Sequence, residues 1–323
     1  MNAAPVQVAP GVHRVSVPLP FPPREVAAWV IDGEQGHVLV DTGIDTPAGR
    51  EALRGGAEHL GVTPDSLDWV VLTHVHIDHY GLAGPVRTWA GAQVALHERE
   101  EELARRFVDE WGADRDTVAR ALAAGGVPEE MVPRFVGASD FIHKQYRDFR
   151  PDLLLRGERG ALPGAPGWEW ILTPGHSPGH VVVYHPERQI LIAGDHVLPR
   201  ISPNIGADLY AADPLTDYVA SLRRLRELPV RLVLPSHGEP FTDFASRVDD
   251  ILAHHLERGD EMLAMLGEPR SVYDVTVRVF GQLPPENLLH AYRETLAHLV
   301  YLEREGKARR IRTDGRELWT TAE

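Results

Sequence analysis

The run VVLTHVHIDHYG at residues 70–81 places His74, His76, Asp78 and His79 within six positions at the end of an apolar, β-branched stretch. Imidazole and carboxylate are ligands suited to zinc and related divalent ions. His74 and His76, two residues apart, project to the same side of an extended backbone, and Asp78 and His79 follow where the chain turns towards a helix. Four donors this close exceed what one ion needs when the rest of its shell comes from elsewhere, and they predict two adjacent ions. Three further strand ends extend the set: TPGHSPGH at 173–180, AGDHV at 193–197 and LPSHGEP at 234–240. Each offers His or Asp beside a glycine that lets the backbone turn sharply. A single histidine in a polar loop would be incidental; four such sites in order predict a metal centre. The chain has no cysteine, so disulfides, thiolate metal sites and Cys nucleophiles are excluded, and no G-x-S-x-G elbow marks a serine nucleophile. Two such ions would lower the pKa of a bound water to roughly 7 and so supply a hydroxide nucleophile at neutral pH. Asp78 is the candidate for orienting that nucleophile and moving its proton.

Residues so spaced need a scaffold of strands, and the surrounding chain supplies one. GVHRVSV, VAAWVIDG and GHVLVDTG read as strands, the last two joined as a hairpin. TPAGREALRGGAEHLG reads as a helix with Thr46 as N-cap and Pro47 at its first position. LDWVVLTH and AQVALHE are further strands, and the alternation predicts an α/β layered sheet. Residues from about 98 to 165 are charged and helix-periodic, a helical insert leaving the sheet. GWEWILTPGH, HVVVYHP, QILIAGDHV and VRLVLPSHG restore the strand rhythm, with a helix opened by Asp213 and Pro214 before the last. After about residue 245 three amphipathic helices and a hairpin turning on Asp314-Gly315 draw a winged-helix outline. The expected division is therefore 1–245 and 246–323. The length of 323 residues and the 43% hydrophobic, 25% charged composition are those of a globular chain. A net charge of −14 disfavours nucleic acid as a partner. The N-terminus lacks the grammar of a signal peptide and no window reaches a membrane span, so a cytoplasmic protein with no membrane partner is expected.

Taken together, HxHxDH, TPGHSPGH, GD and SHG in this order strongly resemble the metallo-β-lactamase-fold hydrolase superfamily over residues ~10–245. The C-terminal segment resembles the winged-helix extension of the subgroup that includes lactamase-β-like protein 2 and bacterial relatives. The resemblance implies an αββα sandwich with the site along one edge between its sheets. It implies that His74, His76 and His176 hold a first metal, that Asp78, His79 and His237 hold a second, and that Asp195 bridges both. His176 is preferred over His180, which is expected to pack or orient a ligand. Asp41, in VLVDTG, matches a position that supports the ligand loop. Zinc is the expected metal, with manganese or iron also suited. His76, where the diiron flavoprotein branch has Glu, speaks against oxygen or nitric oxide reduction, and the missing Cys against antibiotic hydrolysis.

The substrate expected is a small molecule: an ester, thioester or lactone. Two alternatives stand beside it, a phosphodiesterase or ribonuclease of the same fold, and a nucleic-acid-binding winged-helix protein with a vestigial metal site. Tyr80 could reach over the metals or pack under the insert. Arg200 and Asn204 follow Asp195 where a substrate would arrive, and Arg200 could pair with a carboxylate or phosphate. His196 is expected to support the site rather than ligate. His143, Lys144 and Tyr146 could wall a lid or form a charged helix face. A homodimer is compatible with the C-terminal helices. The hairpin run REGKARRIRTDGR is basic, but Glu303, Glu305 and Asp314 dilute it.

Overall fold

The computed structural model describes residues 4–34, 36–143, 146, 150–208, 211–281 and 283–322, the side chains of 113, 141–143, 285 and 286 excepted. Strands β1 (Val6–Ala9), β2 (Val12–Pro18), β3 (Glu25–Asp32), β4 (His37–Val40), β5 (Leu67–Val71), β6 (Gln93–His97) and β7 (Leu153–Leu155) lie in that order in one sheet. β1 to β4 pair antiparallel, whereas β4 to β7 pair parallel. A second sheet holds β8 (Arg159–Ala161), β9 (Glu169–Leu172), β10 (Val181–His185), β11 (Ile190–Gly194) and β12 (Leu232–Pro235), with only β11 and β12 parallel.

Period-two alternation builds the layers. In β3, Ala27, Trp29 and Ile31 face the other sheet, where Trp170, Val181 and Ile192 meet them. Val26, Ala28 and Val30 face outward onto α1 (Pro47–His59), α2 (Ile77–Tyr80), α3 (Ala83–Ala90) and α4 (Glu98–Asp109), through Leu53, Val86 and Leu103 among others. In the second sheet Val182, Tyr184 and Leu191 turn outward. They meet Leu215, Tyr218 and Leu222, and beyond these Val248 and Ile251. With α5 (Trp111–Ala124) and α6 (Val132–His143) intervening, those residues belong to α7 (Pro214–Arg226) and α8 (Phe244–Leu263). Strands apolar on both faces are thus buried on both faces, and the architecture is helix, sheet, sheet, helix. Thr46 caps α1 as expected, its Oγ1 accepting from Gly49 N at 3.0 Å, with Pro47 following.

The helical insert is shorter than its composition predicts. Helices end at His143, and residues 153–161 supply β7 and β8, the edge strands of the two sheets. At three residues each, LLL and RGA are too short for a period to register in sequence. Of FIHKQYRDF, the His143 side chain and Lys144 lie outside the described residues. Tyr146 is buried in the core, its ring 4.7 Å from Phe107 and 5.9 Å from Tyr80.

The insert shares a core with the chain's end. Leu122, Phe135 and Val136 from α5 and α6 pack with Met262, Leu289 and Trp319. Those partners lie on α8, on α10 (Pro285–Arg304), which follows α9 (Val272–Phe280), and on the hairpin of β13 (Ala308–Thr313) and β14 (Arg316–Thr321). The hairpin turns on Asp314 and Gly315 at φ +52° and +75°, the pair of positive angles a two-residue turn of this twist requires. α8 itself spans the expected division at residues 245/246 and joins both the sheet-facing core and this terminal one.

Candidate metal centre

The carboxyl ends of six strands converge at one edge of the sandwich. Asp41 follows β4, His74 to His79 follow β5, and Glu100 follows β6; His176, Asp195 and His237 follow β9, β11 and β12. Parallel neighbours share a carboxyl edge, which is why residues scattered along the chain meet there. Two groups form whose candidate ligand atoms lie within 4.8 Å of one another: His74, His76, His176 and Asp195, and Asp78, His79 and His237. Every residue singled out as a metal ligand in the sequence is therefore in one of the two.

Asp195 faces both groups. Its Oδ2 is 3.4 Å from His176 Nε2, and its Oδ1 is 3.4 Å from His79 Nε2 and 3.6 Å from His237 Nε2. Asp78 Oδ2 completes the second group, 3.4 Å from His237 Nε2 and 3.9 Å from His79 Nε2.

The far side of each ring fixes its tautomer. His79 Nδ1 donates to Asp41 Oδ2 at 2.8 Å and His176 Nδ1 to the Asn204 carbonyl at 3.1 Å. His237 Nδ1 donates to the Glu25 carbonyl at 3.0 Å. His74 Nδ1 donates to Thr73 Oγ1 at 3.0 Å, and that hydroxyl passes its own proton to Asp41 Oδ2 at 2.8 Å. Four Nε2 atoms are thereby turned into the site, each able to ligate through its lone pair once no proton occupies it. Those of His74 and His176 lie 3.0 and 2.9 Å from His76 Nδ1, and one proton on His76 could satisfy only one of them. His79 Nε2 is buried and has no hydrogen-bond partner among the described residues. Imidazole nitrogens turned on one another beside two carboxylates make a donor set that fits divalent metal ions.

Electrostatics agree with that chemistry. Burial, helped by the neighbouring rings, holds His74 well below the usual imidazole value, and burial with His176 holds His76 at about 3. Both are neutral, as ligands must be. Burial opposes ionisation of Asp195, but His79, His237 and His176 outweigh it and keep the carboxyl well below its usual range.

Three supporting groups are not marked by the sequence pattern. Glu100, in the first turn of α4, is fully buried. Its Oε2 accepts from Val75 N at 2.9 Å, between His74 and His76, and its Oε1 accepts from Gly179 N at 2.6 Å and from the Ser177 hydroxyl, beside His176. The one carboxylate thus ties together the two loops that carry the first group. Thr73 links Asp41 to His74, and the Ser236 hydroxyl lies against Asp195 Oδ1 and the Gly194 carbonyl. Glu100 obeys the same strand-end rule as the other residues, directly after ALH of β6, but a Glu in an EREEE helix start looks like solvated charge.

The remaining candidates fall elsewhere. Asp41, at φ +60°, stands behind His79 as expected. Asn204 acts through its backbone on His176, while its side-chain Nδ2 donates to Glu294 at 3.3 Å. Tyr80 is 4% exposed and belongs to the core under the insert, not over the site. His196 is buried between His180 and Tyr218, ring centroids 5.5 and 4.7 Å away. Arg200 is exposed, and no contact among the described residues brings it to the cluster. His180 Nε2 accepts from Asp195 N at 3.2 Å, which occupies its lone pair and positions the carboxylate. Gly194, at φ +51°, is needed here: a Cβ would lie 2.6 Å from that same His180 nitrogen.

This fold and this site define the class. The chain belongs to the metallo-beta-lactamase superfamily, whose family model matches residues 21–237, and it is accordingly a metallo-hydrolase with a His/Asp cluster compatible with a metal site. It is similar to the crystal structure of a metallo-beta-lactamase family protein from Thermus thermophilus, with 33% identity and a TM-score of 0.84 over 98% of this chain and 100% of that one. It is also similar to the probable metallo-hydrolase YqjP of Bacillus subtilis (strain 168), 29% identical over 303 residues, 91% of this chain and 92% of that protein. The Beta-lactamase-like protein 2 homolog of Caenorhabditis elegans is 24% identical over 269 residues, covering 83% of this chain and 75% of that protein. Among the described residues, no helix is long and apolar enough to cross a membrane.

Proposed function

We propose that the protein is a binuclear metal-dependent hydrolase acting on a small ester, thioester or lactone. His74, His76, His176 and Asp195 would hold one divalent cation, and Asp78, His79, His237 and Asp195 the other. Zinc is favoured, with manganese and iron suited to the same donors. The observation that carries this reading is the pair of Asp195 oxygens, each turned to a different group of lone pairs. The ions, when bound, supply a water ionised near neutral pH and a polarised scissile carbonyl. The chain's own residues do the rest. Asp41, Thr73 and the carbonyls of Glu25 and Asn204 keep the ring protons on the outer nitrogens, so that the inner ones stay free to ligate. Asp78, the more exposed of the two inner carboxylates, is placed to take a proton from the nucleophile and return it to the leaving group.

The C-terminal 246–323 segment is read as a winged-helix-like unit. A nucleic-acid role for it is not favoured, because Arg310 pairs with Glu303 at 3.0 Å and with Glu317 at 3.3 Å, and Arg312 also pairs with Glu317 at 3.3 Å. The substrate test is a panel of aryl esters, thioesters and lactones set against bis-aryl phosphodiesters. Turnover of the acyl substrates is expected; turnover of the phosphodiesters alone would reassign the activity.

Two smaller effects follow from the outer hydrogen bonds and charges. Asp41→Asn keeps a residue that tolerates positive φ, but whichever way its amide turns, its NH2 meets a donor, either His79 Nδ1–H with the Thr73 hydroxyl or the Thr73 amide. Metal affinity is expected to fall about 10–100-fold with the fold retained, as for other supporting carboxylates of metal-bound histidines. Equilibrium dialysis would read it, and undiminished affinity would contradict the assignment. The second effect concerns protons. Burial disfavours charge on His79, but Asp195, Asp41 and Asp78 outweigh it and hold its pKa well above the usual imidazole value in the metal-free protein. His237 is raised in the same direction. Protons on these rings stabilise the metal-free fold below the ordinary imidazole pKa, and that stabilisation is lost as pH rises through the raised values. Loading at pH 7 must displace them. Calorimetry in buffers of different ionisation enthalpy should therefore show proton release on metal uptake, with affinity falling as pH is lowered.

A further inference from the structure

A groove of about 740 Å³ opens between α5, α10 and the β13–β14 hairpin, and no residue of the metal centre lines it. That volume is in the range of small-molecule sites, roughly 300–1,000 Å³. Its floor is apolar, with Leu122, Leu289 and Leu296 among the residues that form it. Its rim carries five arginines, Arg120, Arg293, Arg310, Arg312 and Arg316, against two carboxylates, Asp208 and Glu317. In a chain of net charge −14 this is a local reversal of sign.

Three of the five arginines have carboxylate partners: Arg310 pairs with Glu303 at 3.0 Å and with Glu317 at 3.3 Å, Arg312 shares that Glu317 at 3.3 Å, and Arg293 stands 3.9 Å from Asp208. Arg120 and Arg316 are exposed, and neither has an ion-pair partner among the described residues; Arg120 reaches only Thr117 Oγ1, at 3.0 Å on its own helix.

We propose that this groove binds an amphipathic anion, a carboxylate or phosphate head held by the guanidinium rim with a hydrocarbon body on the leucine floor. Guanidinium presents donors matched to either head group, and the concave apolar floor suits a hydrocarbon body better than a nucleic-acid backbone. The groove also lies near the metal centre along the chain. Ala207 N donates to the Arg293 carbonyl at 3.0 Å on the groove wall, three residues after Asn204, whose carbonyl orients His176. Three residues span at most about 10 Å.

The inference stands apart from the metal chemistry because it is read by binding alone. Titration calorimetry of the full chain at low salt would compare octyl phosphate, octanoate and octyl glucoside. At least one anion is expected to bind about tenfold or more tightly than the glucoside, with affinity falling as salt rises. Whichever of the two anions binds better identifies the head group. Arg120→Glu and Arg316→Glu, both at exposed positions and checked for unchanged thermal melting, should each weaken the anion about tenfold. Arg231→Glu, exposed away from the groove, should not. Equal binding of the glucoside, binding of neither anion, or anion affinity indifferent to both groove substitutions would overturn the proposal. Displacement of octyl phosphate by single-stranded RNA, lost in the same two variants, would overturn it in favour of a nucleic-acid site.

Discussion

Asp195→Ala is expected to lower kcat/KM by about three to four orders of magnitude while leaving the metal-free fold intact. Among the described residues its two oxygens face the two clusters, so under the proposed function its loss would take a ligand from each at once. Several kcal/mol of stabilisation supplied by a metal pair, at about 1.36 kcal/mol per tenfold in rate, gives that range. The fold survives because the backbone at this position is held independently, through Asp195 N on His180 and the Gly194 carbonyl on Ser236. His79 and His237 lose one of the charges that favour their protonated forms. His79 is opposed by burial and loses the largest of the carboxylate charges that hold it protonated, so its pKa drops back. Steady-state kinetics, metal content and melting of the metal-free protein read the three consequences. A variant within tenfold of the parent would remove Asp195 from the chemistry.

Glu100→Ala is expected to be the most damaging change outside the candidate ligands. It leaves the amides of Val75 and Gly179 and the hydroxyl of Ser177 without their acceptor in a fully buried place. Each of the three stranded donors costs about 1–3 kcal/mol, partly offset because the carboxylate is no longer buried against its own desolvation, so a loss of stability of at least about 3 kcal/mol and a fall in metal affinity of about 10–100-fold are expected. Glu100→Gln separates shape from acceptor count. Its amide keeps the volume but sets an N–H against one of the three donors, so it should recover only part of the metal affinity. Full recovery by Gln, or undiminished metal affinity in the Ala variant, would show that Glu100 merely fills space. Denaturant unfolding and metal competition with a chromophoric chelator measure the two effects separately.

The clarity with which sequence spoke varied with the range of the cause. His74, His76, Asp78 and His79 share one loop, and their spacing alone announces a ligand cluster. His176, Asp195 and His237 each follow an apolar strand beside a glycine, and strand ends at a parallel edge meet, so these too were legible. Asp41 was legible as a support of the ligand loop; that its Oδ2 serves both His79 and Thr73 was not. Glu100 was hidden because its charge is compensated by donors 25 and more residues distant, which no local pattern encodes. Tyr80 shows the converse: a position beside the ligands drew it into the site, but the α2 turn sends its ring into the core. The edge strands β7 and β8 were missed for want of length. Their pairing partners, β6 and β9, determine them rather than their own three residues.

On the proposed function these side chains hold two divalent cations, and hydrolysis depends on them. Elemental analysis of the purified protein, repeated after chelation and stepwise zinc addition with ester hydrolysis followed in parallel, tests it most directly. Two equivalents of metal per chain are expected in the active protein, with activity lost on their removal and regained in step with reloading. Activity that persists undiminished in metal-free protein, or a chain that saturates at one equivalent, would contradict it.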